Sequence, residues 1–194
     1  SVHTYSALLC WAACDRLSNA AEALGLVERR LHWRSRADAI HQRIEAAAWN
    51  EEAGCFAASF GGEELDASLL QLAELRLLNA ADPRFIATLE AVERRLRRGD
   101  NLFRYDLPDD FGAPETAFNF CTFWYIEALH AVGRDAEARA LFERLLARRS
   151  QAGLMSEDVS LQTGELWGNY PQTYSLVGII TCAAALSRPW HAVR

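Results

Sequence analysis

Residues 116–187 read TAFNFCTFWYIEALHAVGRDAEARALFERLLARRSQAGLMSEDVSLQTGELWGNYPQTYSLVGIITCAAALS, and the rhythm of this stretch decides the fold. A helical pattern runs from about Thr116 to Val132, and Gly133 follows as a natural stop. A second helix opens at about Asp135 and lasts to Arg149. Residues 150–171 then hold aromatics, carboxylates and glycines without any helical period. A third helix follows from about Gln172 to Ser187, before Pro189. The pattern is helix, short link, helix, long loop and helix.

The same rhythm runs back to the first residue. Residues 4–24 place Leu8, Trp11, Ala12, Leu17, Ala20, Ala21 and Leu24 on helical spacing, with Gly25 as a stop. A second helix is expected from about Trp33 to Ala48. A third is expected from about Asp66, a good cap, to Leu78. A fourth opens at Asp82-Pro83, a cap followed by a first-turn proline, and runs to about Leu96. Seven helices and no long alternating stretch make an all-α chain. The links between helices one and two, three and four, and five and six are short, whereas 49–65, 97–115 and 150–171 are long. Short links join antiparallel neighbours. Strict alternation therefore gathers the three long loops at one end, which is the expected active face, because long ordered loops are commonly functional.

Composition narrows the function. The 194 residues are 51% apolar, and 20 Lys and Arg stand against 26 Asp and Glu, a net charge of −6. A general nucleic-acid binder needs a basic footprint, so that partner is not expected. No apolar run approaches the roughly 18–20 residues that span a bilayer, so a membrane is not expected either. Cys10, Cys14, Cys55, Cys121 and Cys182 are odd in number and form no CxxC pair, which reads as reduced thiols and a cytoplasmic setting. His3, His32, His41, His130 and His191 have no metal-ligand spacing, and neither a metal nor a cofactor is expected. Ser6, Ser68 and Ser156 lack a nucleophile elbow. The sole methionine is Met155, and Ser1 already lies in a helical pattern, so a piece of a longer protein is expected, with secretion left open.

The long loops hold the candidate site. The first carries Trp49, Asn50, Glu51, Glu52, Phe56, Phe60, Glu63 and Glu64. The second carries Arg104 between Phe103 and Tyr105, then Asp106, Asp109, Asp110 and Phe111; such an arginine either clamps a ligand or pairs with a structural aspartate. The third places Glu157 and Asp158 ahead of Trp167 and Tyr170. Aromatic faces that stack on sugar rings beside carboxylates for acid–base work are what a sugar site uses, and turn chemistry is the competing reading.

Several segments in order resemble one family. Gly153-Leu-Met-Ser-Glu-Asp158, Thr163-Gly-Glu165 and Trp167-Gly-Asn-Tyr-Pro-Gln-Thr-Tyr-Ser175 resemble the C-terminal signature of glycoside hydrolase family 15, which includes glucoamylases, glucodextranases and some microbial trehalases. Tyr5-Ser6, Cys10-Trp11, Asp15-Arg16, Leu65-Asp-Ala-Ser-Leu-Leu70, Asp82-Pro-Arg84, Arg104-Tyr105, Cys121-Thr-Phe-Trp124 and Gly133-Arg134 agree as well. The resemblance implies an α/α toroid, the six-hairpin glycosidase barrel. Residues 1–194 would be the C-terminal portion of one catalytic domain, with about seven of twelve helices. It implies an inverting mechanism in which a general base and a general acid lie roughly 6.5–9.5 Å apart. The base position falls on Glu157, while the acid would precede Ser1. Arg104 and Tyr105 match a sugar-contacting pair, Tyr174 lies where the family often carries a site aromatic, and Trp167 and Trp49 complete the expected binding set. Asp158 departs from the Glu or Gln usual beside the base. The expected activity is glucoamylase-like release of glucose from an α-glucoside, with α,α-trehalase as the alternative in the same family. A non-catalytic helical scaffold is the alternative from another class. The expected partners are the sugar substrate and the N-terminal part of the same polypeptide, without which this piece alone would be inactive.

Overall fold

The computed structural model describes residues 1–108, 110 and 112–187; Asp109, Phe111, Pro189 and His191, read above, lie outside them. The chain opens with α1 (Thr4–Ala23) and α2 (Val27–Ala48). Gly25, at φ +68°, closes α1, with its own N–H on the Glu22 carbonyl and the Leu26 N–H on that of Ala21. This paired closure frees the chain to turn at once, so α2 begins at Val27, six residues before the expected start. Next come the hairpin β1 (Trp49–Asn50) and β2 (Cys55–Phe56), a 3₁₀ turn (Ala67–Leu70) and a single turn α3 (Gln71–Glu74). The continuous third helix expected over 66–78 is cut short, because Arg76 turns to φ +68° and donates its N–H to the Ala73 carbonyl.

Helix α4 (Pro83–Leu96) starts on the Asp82 side chain, which accepts from the Arg84 N–H. The hairpin β3 (Arg97–Arg98) and β4 (Asn101–Leu102) follows. Then β5 (Thr116–Phe118) leads directly into α5 (Asn119–Ala131), so the expected fifth helix begins three residues late. Gly133 closes α5 with the same paired bonds as Gly25, to His130 and Leu129. Helix α6 (Asp135–Leu146), strands β6 (Asp158–Ser160) and β7 (Leu166–Trp167), and α7 (Thr173–Leu186) complete the described chain. Strands β5, β6 and β7 form one antiparallel sheet in that order, which the helical pattern does not announce.

The core centres on α5. Phe123, Tyr125, Ile126 and Leu129 are buried in it against Leu69, Leu72, Leu141 and Leu145. Each such side chain contributes about 1.5–3 kcal/mol when fully buried. Helix α7 reaches α5 through Gly178, where any Cβ would collide with the Phe123 ring. The cysteines are free thiols, and Cys55, Cys121 and Cys182 are buried. Among the described residues no helix is long and apolar enough to cross a membrane.

The long loops meet where α1, the 3₁₀ turn, α5 and α7 begin. Loop 49–65 meets the start of α1: the Thr4 N–H donates to Ala58 (2.9 Å) and the Phe60 N–H to Val2 (2.9 Å). Loop 97–115 meets the 3₁₀ turn through the Ala67 N–H on the Arg104 carbonyl (2.8 Å). Loop 150–171 meets α5 and α7 through Asn119 N–H to Glu157 and Gln172 N–H to Met155, both 2.9 Å. Trp49, Arg104 and Glu157 therefore share one end.

Candidate active site

Glu157 precedes β6 on a buried polar platform. Ser156, below it, gives its carbonyl to Asn119 Nδ2 (3.0 Å) and Ser175 Oγ (2.7 Å), and all three residues are buried. The Glu157 backbone is tied at both groups, its N–H to the Asn169 carbonyl and its carbonyl to the Asn119 N–H. Its carboxylate is tied as well: Oε2 accepts from the Asn169 N–H (3.1 Å) and from Asn169 Nδ2 (2.8 Å). Gly168 makes this possible. It lies at φ +74°, and a Cβ there would stand 2.9 Å from both Oε2 and Cβ of Glu157.

Asp158 points to the other face of the sheet, opposite Phe118 on β5 and Trp167 on β7. Its Oδ2 accepts from Thr116 Oγ1 (3.1 Å), while Oδ1 is buried without a partner among the described residues. Burial pushes its carboxyl above the usual range and the Glu157 charge adds to that, against the Thr116 hydroxyl.

Arg104 is held from three sides. Its Nε donates to both oxygens of Asp66 (2.7 and 2.8 Å), its guanidinium lies 5.9 Å from the Trp124 ring centre, and its backbone carbonyl is the Ala67 partner. Burial disfavours the cation, but the Asp66 charge and hydrogen bond outweigh it and hold the guanidinium firmly protonated. Arg104 lines two cavities. One of about 510 Å³ also has Tyr5, Gln71, Phe120, Trp124 and Tyr174 in its wall. The other, of about 750 Å³, has Tyr105, Thr116, Phe118, Asp158 and Trp167.

Of the residues expected from sequence, Arg104, Tyr105 and Trp167 thus share one cavity, and Arg104 and Tyr174 the other. Trp49 lines neither; it is half-buried, edge-on to Phe56 (5.3 Å between centres). Tyr170 is tied away, donating to Ser150 Oγ (2.8 Å). Four residues have no part in the site as read from sequence, namely Asn169, Tyr5, Trp124 and Asp66, the last expected as a cap, which it is, with its side chain accepting from the Ser68 N–H. Tyr5 contacts Trp124 (6.0 Å), Trp124 contacts Phe120 (4.9 Å), and Phe120 contacts Tyr174 (6.0 Å), so one aromatic line joins the starts of α1, α5 and α7. All four stand inside the family-like segments, which was the available signal; by its residue type alone Asn169 reads as an ordinary turn residue. Among the described residues, no group of three or more His, Cys, Asp or Glu could hold a metal.

Residues 1–184 match the family model described as Glycosyl hydrolases family 15. The chain belongs to this family. Proteins named trehalase are similar to it: one from Thermoplasma acidophilum is 35% identical over 185 residues, covering 95% of this chain and 32% of that protein. Another, from Mycolicibacterium smegmatis, is 33% identical over 188 residues, covering 95% and 28%. The chain thus spans about a third of the length of the curated relatives it matches. Among solved structures, a glycosidase in complex with glucose superposes with a TM-score of 0.82 at 16% identity, over 96% of this chain and 52% of that one. A bacterial glucoamylase complexed with acarbose gives 0.81 at 17%, over 98% and 36%. The family and these neighbours make the fold an α/α toroid, of which this family 15 chain supplies seven helices among its described residues.

Proposed function

We propose that this chain is the C-terminal, base-carrying portion of a family 15 catalytic domain that hydrolyses α,α-trehalose. The observation that carries the hydrolytic role is Glu157, a carboxylate fixed through one oxygen by Asn169 at the face where the long loops meet. Trehalose is favoured over the glucoamylase-like substrate expected from sequence. Relatives named trehalase are 33–35% identical over nearly the whole chain, whereas the glucoamylase likeness stands at 17% identity and speaks for fold alone.

In this reading Glu157 takes a proton from water as that water attacks the anomeric carbon. The bond from that carbon to the bridging oxygen breaks, and the oxygen leaves with a proton from a second carboxylic acid supplied by another part of the polypeptide. Attack from the opposite face turns an α-glucoside into β-glucose. Arg104 and Tyr105 bind sugar hydroxyls, and Tyr174 and Trp167 provide ring faces on either side of Arg104. Trp49 supports the loop that borders the start of α1.

The test is hydrolysis of trehalose, maltose and isomaltose by the full-length protein, with the product anomer followed by NMR. Trehalose should react fastest and one ring should appear first as β-glucose. Glu157→Gln should lower turnover at least about 100-fold with the fold retained. Preference for maltose would restore the glucoamylase reading. Retention of configuration, or near-normal turnover of Glu157→Gln, would remove Glu157 as the base.

A further inference from the structure

The segment Leu65-Asp-Ala-Ser-Leu-Leu70 has no part in the reaction as derived so far, yet its aspartate touches the sugar-facing arginine. We infer that Asp66 is a positioning residue that fixes the Arg104 guanidinium between the two cavities. The inference rests on the reading of Arg104 as a sugar contact.

Arg104 stands in an irregular loop, where a long side chain would otherwise sample many rotamers. Asp66 removes that freedom by engaging Nε with both carboxylate oxygens (2.7 and 2.8 Å), which restrains rotation at the end of the side chain. Asp66 is itself fixed: its Oδ1 accepts from the Ser68 N–H at 2.7 Å, where the 3₁₀ turn begins. The neighbouring Ala67 N–H holds the Arg104 carbonyl at 2.8 Å, so backbone and side chain of the arginine are referred to one short segment. The Trp124 ring bounds the guanidinium on another side. The pair is sheltered, with side-chain exposures of 29% for Arg104 and 19% for Asp66, unlike a solvated surface ion pair. Because Arg104 lines both cavities, a change in its aim would be felt by both rings of a disaccharide. Misplacement by about 1 Å of a group that positions substrate costs on the order of 100-fold in rate.

The experiment uses the full-length protein and the disaccharide it hydrolyses best. Asp66→Asn keeps the volume and the oxygen that caps Ser68, and loses the charge that orders Arg104. It should lower kcat/KM by about 10–100-fold while thermal unfolding stays near wild type. Asp66→Glu should retain more activity than Asp66→Asn. Arg104→Ala should lose at least as much, and the double variant Asp66→Asn with Arg104→Ala should be no worse than Arg104→Ala alone. If Asp66→Asn does not fold, Asp66→Ser, which keeps a capping oxygen, takes its place in the comparison. A kcat/KM within about twofold of wild type, or a double variant showing the product of both losses, overturns the inference while leaving Arg104 as a sugar contact. An Arg104→Ala variant of near-normal kcat/KM removes that contact, and the role of Asp66 with it.

Discussion

Gly168→Ala should disable Glu157, the proposed base, without removing its carboxylate. Two costs act together. At φ +74° a residue with a side chain pays about 1–2 kcal/mol for left-handed backbone. The added Cβ would also stand 2.9 Å from Glu157 Oε2 and Cβ, where ordinary contact begins near 3.4 Å. Something must move by the difference, about 0.5 Å, and Asn169 and Asn119 tie the Glu157 backbone on both sides. The carboxylate can swing away, but the contact with Cβ is relieved only by a backbone shift at 157 or 168, and both movements draw Oε2 off the Asn169 donors. A shift of that size, against a sensitivity of about 100-fold per 1 Å, predicts a loss of about 10-fold or more in kcat. Gly164→Ala supplies the control. Gly164 has the same backbone sign, φ +73°, in the same loop, but nothing lies within 4 Å of its Cβ position. Both variants should lose similar stability to heat or urea, while only Gly168→Ala loses turnover in steady-state assays of the full-length protein. Equal kcat losses in the two variants, or a folded Gly168→Ala with wild-type kcat, would refute the reasoning.

Two further predictions concern pH and stability. Burial and the Glu157 charge raise the Asp158 carboxyl, so its native state holds a proton more tightly than the unfolded chain. Its favourable contribution is therefore full below the unfolded pKa near 4 and is lost as pH rises through the native value. Asp158→Asn should remove that loss, gaining on wild type from acidic to neutral pH in urea denaturation; parallel curves would discount the buried carboxyl. Glu93 behaves in the opposite sense: hydrogen bonds from Arg134, outweighing burial, hold its carboxyl at about 2. The stability it gives is complete above about pH 4.5 and fades as pH falls toward 2. With side chains 21% and 36% exposed, the full shift is discounted for screening, and Glu93→Gln should cost about 1–2 kcal/mol at neutral pH. A change below about 0.3 kcal/mol would make the cluster a surface pair of little consequence.

The helical rhythm is legible because burial writes it into every third or fourth residue, as in Leu8, Trp11 and Ala12 or Phe123, Ile126 and Leu129. The break after Glu74 is not, since Arg76 is no glycine, yet it takes a positive φ between the buried Leu72 and the buried Leu77 and Leu78. Two-residue strands such as Trp49–Asn50 and Leu166–Trp167 are too short for alternation to appear, so the sheet behind Glu157 is invisible to pattern reading. In the site, Glu157 and Arg104 are reached through a family-like motif together with loop placement. Asn169 and Asp66 are not, because their roles depend on a partner 12 and 38 residues away that no local spacing encodes.

The two ends of the helical array differ in which segments satisfy their backbone groups, and the candidate site lies where long loops do so. The short links close on themselves: Gly25 and Gly133 return their own helices' final carbonyls to nearby N–H groups. At the other end, α1, α5 and α7 start without a side-chain cap, as α2 and α6 do at the short links, and their first-turn N–H donors are answered from elsewhere in the chain. The long loops answer, with Ala58 accepting from Thr4 and Glu157 itself accepting from Asn119. The loops are therefore ordered by the helix starts they cap, and Glu157 gains a rigid backbone from the same bond that completes α5. Helix N-termini also carry partial positive charge, which favours carboxylates gathered there. A chain with net charge −6 thus places the Glu157 carbonyl on the start of α5, and Asp66 at the start of the 3₁₀ turn, where its side chain accepts from the Ser68 N–H.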